Sequence, residues 1–191
     1  MDLFLHPRYI QQGDHIHDFI DVKYQLTGNG TVYIGEETIF LRESDLCMIS
    51  PFVQHRNEVY SDDAIMVNIV LPIEYLPVIF PRLMSFPNGF RDYFERLRDV
   101  HAPLSEKWLY LPTGRHAEIK RIVAEAVAYF SSDSKRSHIG DLRQENAMEQ
   151  ILLWMLEMDP ALNRMTAGKK AGISSSSGSW NTCRTTWRTQ T

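Results

Sequence analysis

Short stretches of alternating hydrophobic and polar residues fill the first third of the chain. Over residues 20–26, the polar side chains of Asp21, Lys23 and Gln25 alternate with apolar ones, which is the period of a half-buried strand. Closely spaced stretches of this kind, separated by glycine, asparagine and proline, predict an antiparallel β-sandwich or barrel over residues 15–72. The alternation alone leaves open which face of residues 20–26 lines its interior. The other predicted strands are residues 31–34, 38–42, 46–49 and 64–71.

Beyond Pro72 the hydrophobic period becomes that of amphipathic helices. Residues 116–131 and 141–158 carry apolar side chains every three to four positions, as on one face of a helix. We therefore predict a helical region over residues 73–160, whose two long helices pack on the β-domain or on a second copy of the chain. The candidates for a dimer interface lie on the last helix and are Ile151, Leu152, Trp154 and Met155.

Composition and charge narrow the class of protein. Of the 191 residues, 43% are hydrophobic and 23% are charged, which supports a packed core and excludes wholesale disorder. The sequence shows no run of 18 apolar residues and no signal peptide, so we expect no membrane partner and a cytoplasmic location. Two cysteines, Cys47 and Cys183, agree with a reducing compartment. A net charge of −4 gives the whole chain no attraction for nucleic acid.

The end of the chain differs in composition from the rest. Residues 163–191 contain five basic residues and no acidic residue, with four consecutive serines at 174–177. As a helix, this segment would align Trp180, Cys183 and Trp187, but its serines and threonines disfavour a helix. As a basic arm, its charges are sparse for binding phosphate. The composition is also typical of an out-of-frame translation. We therefore predict that residues 161–191 are a disordered tail of a chain truncated or frameshifted near residue 165.

Histidines at strand spacing supply the candidate chemistry. His15 and His17 lie two positions apart, so on a strand both imidazoles face one side, and Asp21 has the same parity. His55 would join them from a neighbouring strand. Three imidazoles and a carboxylate suit a divalent transition metal such as iron, zinc, manganese or nickel. His6 lies outside this pattern and is expected at the surface.

The spacing of these residues resembles the motifs of the cupin superfamily. His15, His17, Asp21 and Gly28 fit the first motif, which reads H-x-H, three or four residues, E, six residues, G, with Asp in place of Glu. Of the second motif only His55 is retained. Within the superfamily, residues 6–160 resemble the N-terminal domain of AraC-type transcription regulators, most clearly in the segments HIHDFIDVKYQLTGNGTVYIG and SDLCMISPFVQH.

The resemblance implies a fold that is mainly β with an α appendage. This fold is a cupin-like antiparallel β-barrel, a double-stranded β-helix or jelly roll, followed by amphipathic dimerisation helices. A small-molecule effector, such as a sugar or related metabolite, would bind in the barrel and reposition an N-terminal arm, residues 1–14. The regulators bind DNA through a C-terminal helix-turn-helix domain that residues 161–191 do not resemble, so we expect a homodimer that does not itself recognise DNA. The pocket candidates are His15, His17, Asp21, Tyr24, Tyr33 and His55.

Departures from the cupin pattern leave alternatives open. Asp21 is shorter than the usual Glu, and Lys23, on the same face by parity, is expected to neutralise it and compete with a cation. We therefore favour an effector-binding domain without a cofactor and without enzymatic activity. The alternative is a stand-alone cupin enzyme, a dioxygenase or isomerase, with a divalent transition metal on His15, His17, Asp21 and His55. A third function is a dimerisation module that pairs with intact relatives.

Overall fold

A computed structural model of the chain describes most of residues 2–158. The described residues are 2–10, 12–79, 101–112, 116–131 and 138–158, together with residues 81, 91, 94–96 and 99. The segment for which we predicted a disordered tail, residues 161–191, lies outside the described residues.

The strands of the described part form two antiparallel sheets. In chain order they are β1 (Asp2–Leu5), β2 (Ile20–Thr27), β3 (Gly30–Ile34), β4 (Glu37–Leu41), β5 (Leu46–Ile49), β6 (His55–Glu58), β7 (Ile65–Leu71) and β8 (Trp108–Leu111). The larger sheet has the strand order β1-β7-β2-β5-β8, and the smaller sheet has the order β4-β3-β6. A two-residue turn joins β3 to β4, and its Gly35 takes a φ of 58°, a left-handed conformation that glycine adopts without steric cost.

Helices cover the outer face of the larger sheet. They include α1 (Leu76–Ile79), α2 (Ala117–Ser131) and α3 (His138–Met158), and single 3-10 turns occur at Ile73–Tyr75 and Leu104–Glu106. Apolar residues of β2, such as Ile20 and Val22, share a core with Ile122 of α2 and Met148 of α3. The prediction of a mainly β fold with an α appendage is therefore confirmed. None of the helices in the described residues has the length and hydrophobicity needed to span a membrane.

The two faces of β2 have different partners, which settles the question that alternation left open. The even-numbered residues face the helices. Lys23 and Asp21 lie opposite Cys47 and Ile49 of β5, and these two β5 residues belong to the core shared with the smaller sheet. Residues on directly paired positions point to the same side of a sheet. The polar face of β2 is therefore the inner face, and its side chains are buried between the sheets.

Two strands lie outside the region predicted to be β. β1 pairs with β7, so residues 2–5 of the predicted N-terminal arm are an edge strand of the larger sheet. β8 pairs with β5 from within the region predicted to be helical. Both strands have four residues, too few for an alternating pattern to stand out. Their partners in the sheet, rather than their own sequence, determine their conformation.

The last helix turns a different face outward from the one predicted. Ile151 and Leu152 are only 2% and 1% exposed, because they pack in the protomer's own core. Trp154 packs partly against that core, and the side chain of Met155 lies outside the described residues. The proposed dimer contacts of Ile151 and Leu152 are therefore corrected, since neither side chain is available to a partner. Among the described side chains of α3, the large apolar ones that are exposed are Ile139, Leu142 and Leu153.

Candidate functional site

Three imidazoles meet at the edge of the smaller sheet. His55 is the first residue of β6, and His15 pairs with it in an isolated antiparallel bridge. The ring centroids lie 4.5 Å apart for His15 and His55 and 4.8 Å apart for His15 and His17. One nitrogen of each ring lies within 4.8 Å of the others. The sequence prediction that these three histidines come together is confirmed.

Backbone hydrogen bonds hold the first two histidines beside β6. The N–H groups of His15 and His55 donate to each other's carbonyl oxygen, both at 3.0 Å, and the N–H of Phe52 donates to the His17 carbonyl at 2.7 Å. Phe52 takes a φ of 62°, which is uncommon for a residue with a bulky side chain. Phe19 stacks on the His17 ring at 4.4 Å. The segment that carries the histidines therefore extends the smaller sheet beyond β6.

The Asp21 carboxylate is buried next to these rings and already has a cationic partner. Its Oδ2 lies 2.6 Å from Lys23 Nζ, 3.3 Å from His55 Nε2 and 3.9 Å from His17 Nε2. Burial alone would raise the pKa of Asp21, but the Lys23 charge and the hydrogen bonds from His55 and Lys23 hold this pKa well below its usual range. Lys23 is fully buried. The expected neutralisation of Asp21 by Lys23 is confirmed.

The imidazoles fit a metal ion better than the carboxylate does. Three neutral imidazoles are a common ligand set for zinc and leave a fourth position open. Asp21, the fourth member of the predicted set, has one oxygen bonded to Lys23, so its charge is already balanced. Burial lowers the pKa of His17, with Asp21 acting in the opposite direction. The neutral imidazole that metal binding requires is therefore the favoured form of His17.

A histidine that the sequence interpretation placed at the surface lies inside the protein. His6 follows β1, is 4% exposed, and its N–H donates to the Met66 carbonyl at 2.8 Å. Burial, assisted by the Lys23 charge, lowers the pKa of His6 to about 4. The prediction for His6 was wrong because β1 was not recognised as a strand. His6 follows β1 directly and stays bonded to β7, so its side chain is buried.

Several polar atoms between the sheets have no hydrogen-bond partner among the described residues. They are both ring nitrogens of His6, Asp21 Oδ1, Gln25 Oε1, Asn57 Oδ1 and Asn68 Oδ1. Asn68 lies opposite Lys23 in the pairing of β7 with β2, so the two side chains share the inner face. Sequence reasoning missed Asn68, although an asparagine within the apolar strand Ile65–Leu71 was the available signal.

The two tyrosines proposed for the pocket lie elsewhere. Tyr24 is fully buried in the core between the larger sheet and the helices. Tyr33 lies among the less buried residues of β3, where its hydroxyl donates to Glu58 Oε2 at 2.9 Å and its ring carries the Arg56 guanidinium at 4.0 Å. Strand parity explains both placements, since Tyr24 is on the opposite face from Asp21 and Tyr33 is out of phase with the buried Val32 and Ile34. Neither tyrosine joins the histidine cluster.

Comparison with known proteins bears on the same part of the chain. Residues 4–71 match the family of the AraC-like ligand binding domain. No curated protein sequence matches the chain. Among solved structures, the chain is similar to an apo variant of ToxT from Vibrio cholerae, with 8% sequence identity and a TM-score of 0.54, over 88% of this chain and 64% of that chain.

Cupin structures match a shorter part. A cupin protein from Bacteroides fragilis has 22% identity and a TM-score of 0.32, over 36% of this chain and 61% of that chain. A cupin-2 domain containing protein from Shewanella frigidimarina has 19% identity and a TM-score of 0.31, over 36% of this chain and 66% of that chain. This chain thus spans less than two thirds of the length of these two proteins and of ToxT.

The family match covers the part of the chain that forms the two sheets and the histidine cluster. The matched residues include half of β1, all of β2 to β7, the histidine cluster and the buried Asp21–Lys23 pair. The likeness to ToxT concerns the fold alone, and the predicted cupin-like fold is confirmed. The strands are paired in two sheets rather than in one closed barrel. Residues 4–71 of this chain are therefore similar to the AraC-like ligand binding domain.

Proposed function

We propose that this chain is the effector-sensing and dimerisation part of an AraC-type transcription regulator, with a small polar molecule bound between the two sheets. The observation that carries this proposal is the set of unpartnered polar atoms on the facing inner surfaces. A buried polar atom without a partner costs about 1–3 kcal/mol. A ligand with matching groups would remove this cost and be held by it. Recognition of DNA would belong to a helix-turn-helix domain in the intact regulator.

The chemistry of the interior favours a neutral ligand that donates hydrogen bonds. Oxygen atoms of Asp21, Gln25, Asn57 and Asn68 are acceptors without donors among the described residues. The charge of Asp21 is balanced by Lys23, so this buried pair offers an ion no net charge. Hydroxyl groups supply donors without charge. A sugar or related polyol is therefore the effector class that this interior fits best.

The turn between β4 and β5 connects β2 to helix α2, and it offers a route by which ligand binding between the sheets would reach the helices. The backbone N–H of Gln25 donates to the Asp45 carbonyl at 2.9 Å, and its carbonyl accepts from the Ser44 N–H at 2.7 Å. The neighbouring Glu43 accepts a hydrogen bond from Lys120 of α2 at 2.6 Å. A ligand that moves Gln25 would thus act on α2 through this turn.

The exposed apolar residues of α3 support self-association. Ile139, Leu142 and Leu153 are 66%, 51% and 46% exposed. Ile139, Asn146 and Leu153 follow one another at intervals of seven, and Leu142 lies beside them on the same stripe, as along the seam of a coiled coil. An asparagine within such a seam specifies how two helices align. We therefore place the dimer interface on this stripe.

Analytical ultracentrifugation tests the proposed interface. The double variant Leu142→Ser with Leu153→Ser is expected to weaken dimerisation at least tenfold, because it removes most of the apolar surface of the stripe. Phe40→Ser removes an apolar side chain of the smaller sheet that is even more exposed, at 69%, so it is the control and should leave dimerisation unchanged. Equal dimerisation by all three proteins would rule out the stripe as the interface.

Thermal unfolding with a panel of neutral sugars tests the effector class. A neutral sugar is expected to raise Tm, while the sugar acid of the same skeleton raises it less. At a concentration of one hundred times Kd, the stabilisation amounts to about 2.7 kcal/mol. Asn68→Leu should abolish the response, and Phe40→Ser should keep it. A panel in which only sugar acids stabilise the protein, or in which Asn68→Leu responds like the wild type, would contradict the proposal.

The histidine cluster also supports a second candidate function, a metal-dependent cupin enzyme. Its support is the set of three ring nitrogens within 4.8 Å of one another. An ion bound there would polarise a carbonyl or activate oxygen. One equivalent of tightly bound iron, zinc, manganese or nickel, lost on His55→Ala, would favour the enzyme. Stabilisation of metal-free protein by a sugar would favour the sensor.

A further inference from the structure

Asp21 and Lys23 form a buried ion pair, and this pair bears on what the interior can bind. We infer that the Lys23 ammonium takes the place of a metal ion beside Asp21, so that this carboxylate is withheld from the histidine cluster. The inference does not depend on the identity of the effector, because it concerns only which cation Asp21 accepts.

The distances show which cation Asp21 holds. Lys23 Nζ lies 2.6 Å from Asp21 Oδ2, closer than either His55 Nε2 at 3.3 Å or His17 Nε2 at 3.9 Å. A metal ion bound to this oxygen would be about 2.0–2.2 Å from it. The ammonium and the metal ion would then lie side by side, and two positive charges at such short range in a protein interior repel strongly.

The surroundings of Lys23 keep its ammonium group next to Asp21. The Lys23 side chain is fully buried. On the neighbouring strands, Lys23 is paired with Cys47 of β5 and with Asn68 of β7. To make room for a metal ion, the ammonium would have to leave its carboxylate while remaining charged and buried. Separating a buried ion pair in this way is strongly unfavourable. Lys23 therefore acts as a fixed counter-ion that excludes a metal from the carboxylate.

Removing the lysine charge should expose a four-ligand site. In Lys23→Met, a side chain of similar length without charge leaves Asp21 next to three imidazoles, a set that suits divalent transition metals. With Co²⁺ as the probe, followed by its visible absorption, we expect the variant to bind at least tenfold more tightly than the wild type. The double variant Lys23→Met with Asp21→Asn should lose this gain, because the new ligand is then absent.

The double variant also decides the question if Lys23→Met alone fails to fold with its unpaired carboxylate. It replaces a neutral ion pair by two neutral side chains of similar size, and its fold is checked by circular dichroism. Wild type and double variant should bind Co²⁺ with affinities within threefold of each other, or both bind too weakly to measure. A wild type that binds at least tenfold more tightly than the double variant would show that Asp21 is a ligand already and would overturn the inference. So would a folded Lys23→Met without any gain.

Discussion

Acidification should destabilise the protein through His6. The pKa of His6 falls from its ordinary value of 6.5 to about 4 because the ring is buried and Lys23 is nearby. The unfolded chain therefore binds a proton at a higher pH than the folded protein does. The contribution of neutral His6 to the free energy of unfolding is fully present above pH 6.5 and is lost as the pH falls towards 4. The difference of 2.5 units corresponds to about 3.4 kcal/mol in full, of which about 2 kcal/mol is lost by pH 5.

Urea unfolding at pH 8 and pH 5 measures this loss. His6→Leu removes the titrating group, so it should lose about 2 kcal/mol less than the wild type between the two pH values. The lowered pKa of His17 acts in the same direction in both proteins and cancels in the comparison. Protonation of Asp21, whose pKa is lowered as well, takes place at more acidic pH.

The control is His101→Gln, which changes an exposed histidine and should show the acid sensitivity of the wild type. If His6→Leu loses as much stability as the wild type between pH 8 and pH 5, His6 is not a buried neutral imidazole in solution. The ring nitrogens of His6 would then not belong to the unpartnered polar atoms between the sheets.

Two further predictions concern stability. Asn68→Leu should raise the free energy of unfolding by about 1–2 kcal/mol in the absence of ligand, because it removes an unpartnered buried oxygen; a loss of stability in urea unfolding would show that the oxygen has a partner. Gly28→Ala should lower Tm, at a cost of about 2–3 kcal/mol, because Gly28 has a φ of 63° and a Cβ would lie 2.7 Å from the Ala64 Cα. Gly13→Ala, where a Cβ meets nothing within 4 Å, is the control, and equal melting of the two variants would refute the steric explanation.

The strands with a clear local pattern could be predicted from the sequence. β2 and β5 lie within about a residue of the predicted segments, because alternation and flanking turn residues are local signals. The convergence of His15, His17 and His55 was also predictable, since the spacing of the first pair sets their common direction and the motif supplies the third. β1 and β8 could not be predicted, because each depends on a partner strand more than 50 residues away.

Which side chains of the site are buried could not be predicted from the sequence. The pattern of residues 20–26 shows two faces but not which of them meets the second sheet. This is why Tyr24 was proposed for the pocket and Asn68 was not. Similarly, the helical period of α3 identifies apolar positions without distinguishing those that meet the larger sheet, such as Ile151 and Leu152, from those that remain exposed.

The pairing of β1 with β7 and of β5 with β8 has a consequence for how the protein is made. On the ribosome, residues 2–5 emerge first but must wait for residues 67–70 before they have a partner, and β5 stays an open edge until residues 108–111 follow. The apolar outer face of the larger sheet stays uncovered for longer still, until Met148 and Leu152 of α3 have been synthesised. A nascent chain that stalls soon after residue 71 would carry all the matched residues yet display that face to solvent, and exposed apolar strands are prone to aggregate. The smallest fragment that folds reliably should therefore extend at least through residue 152, well beyond the last strand of the matched domain.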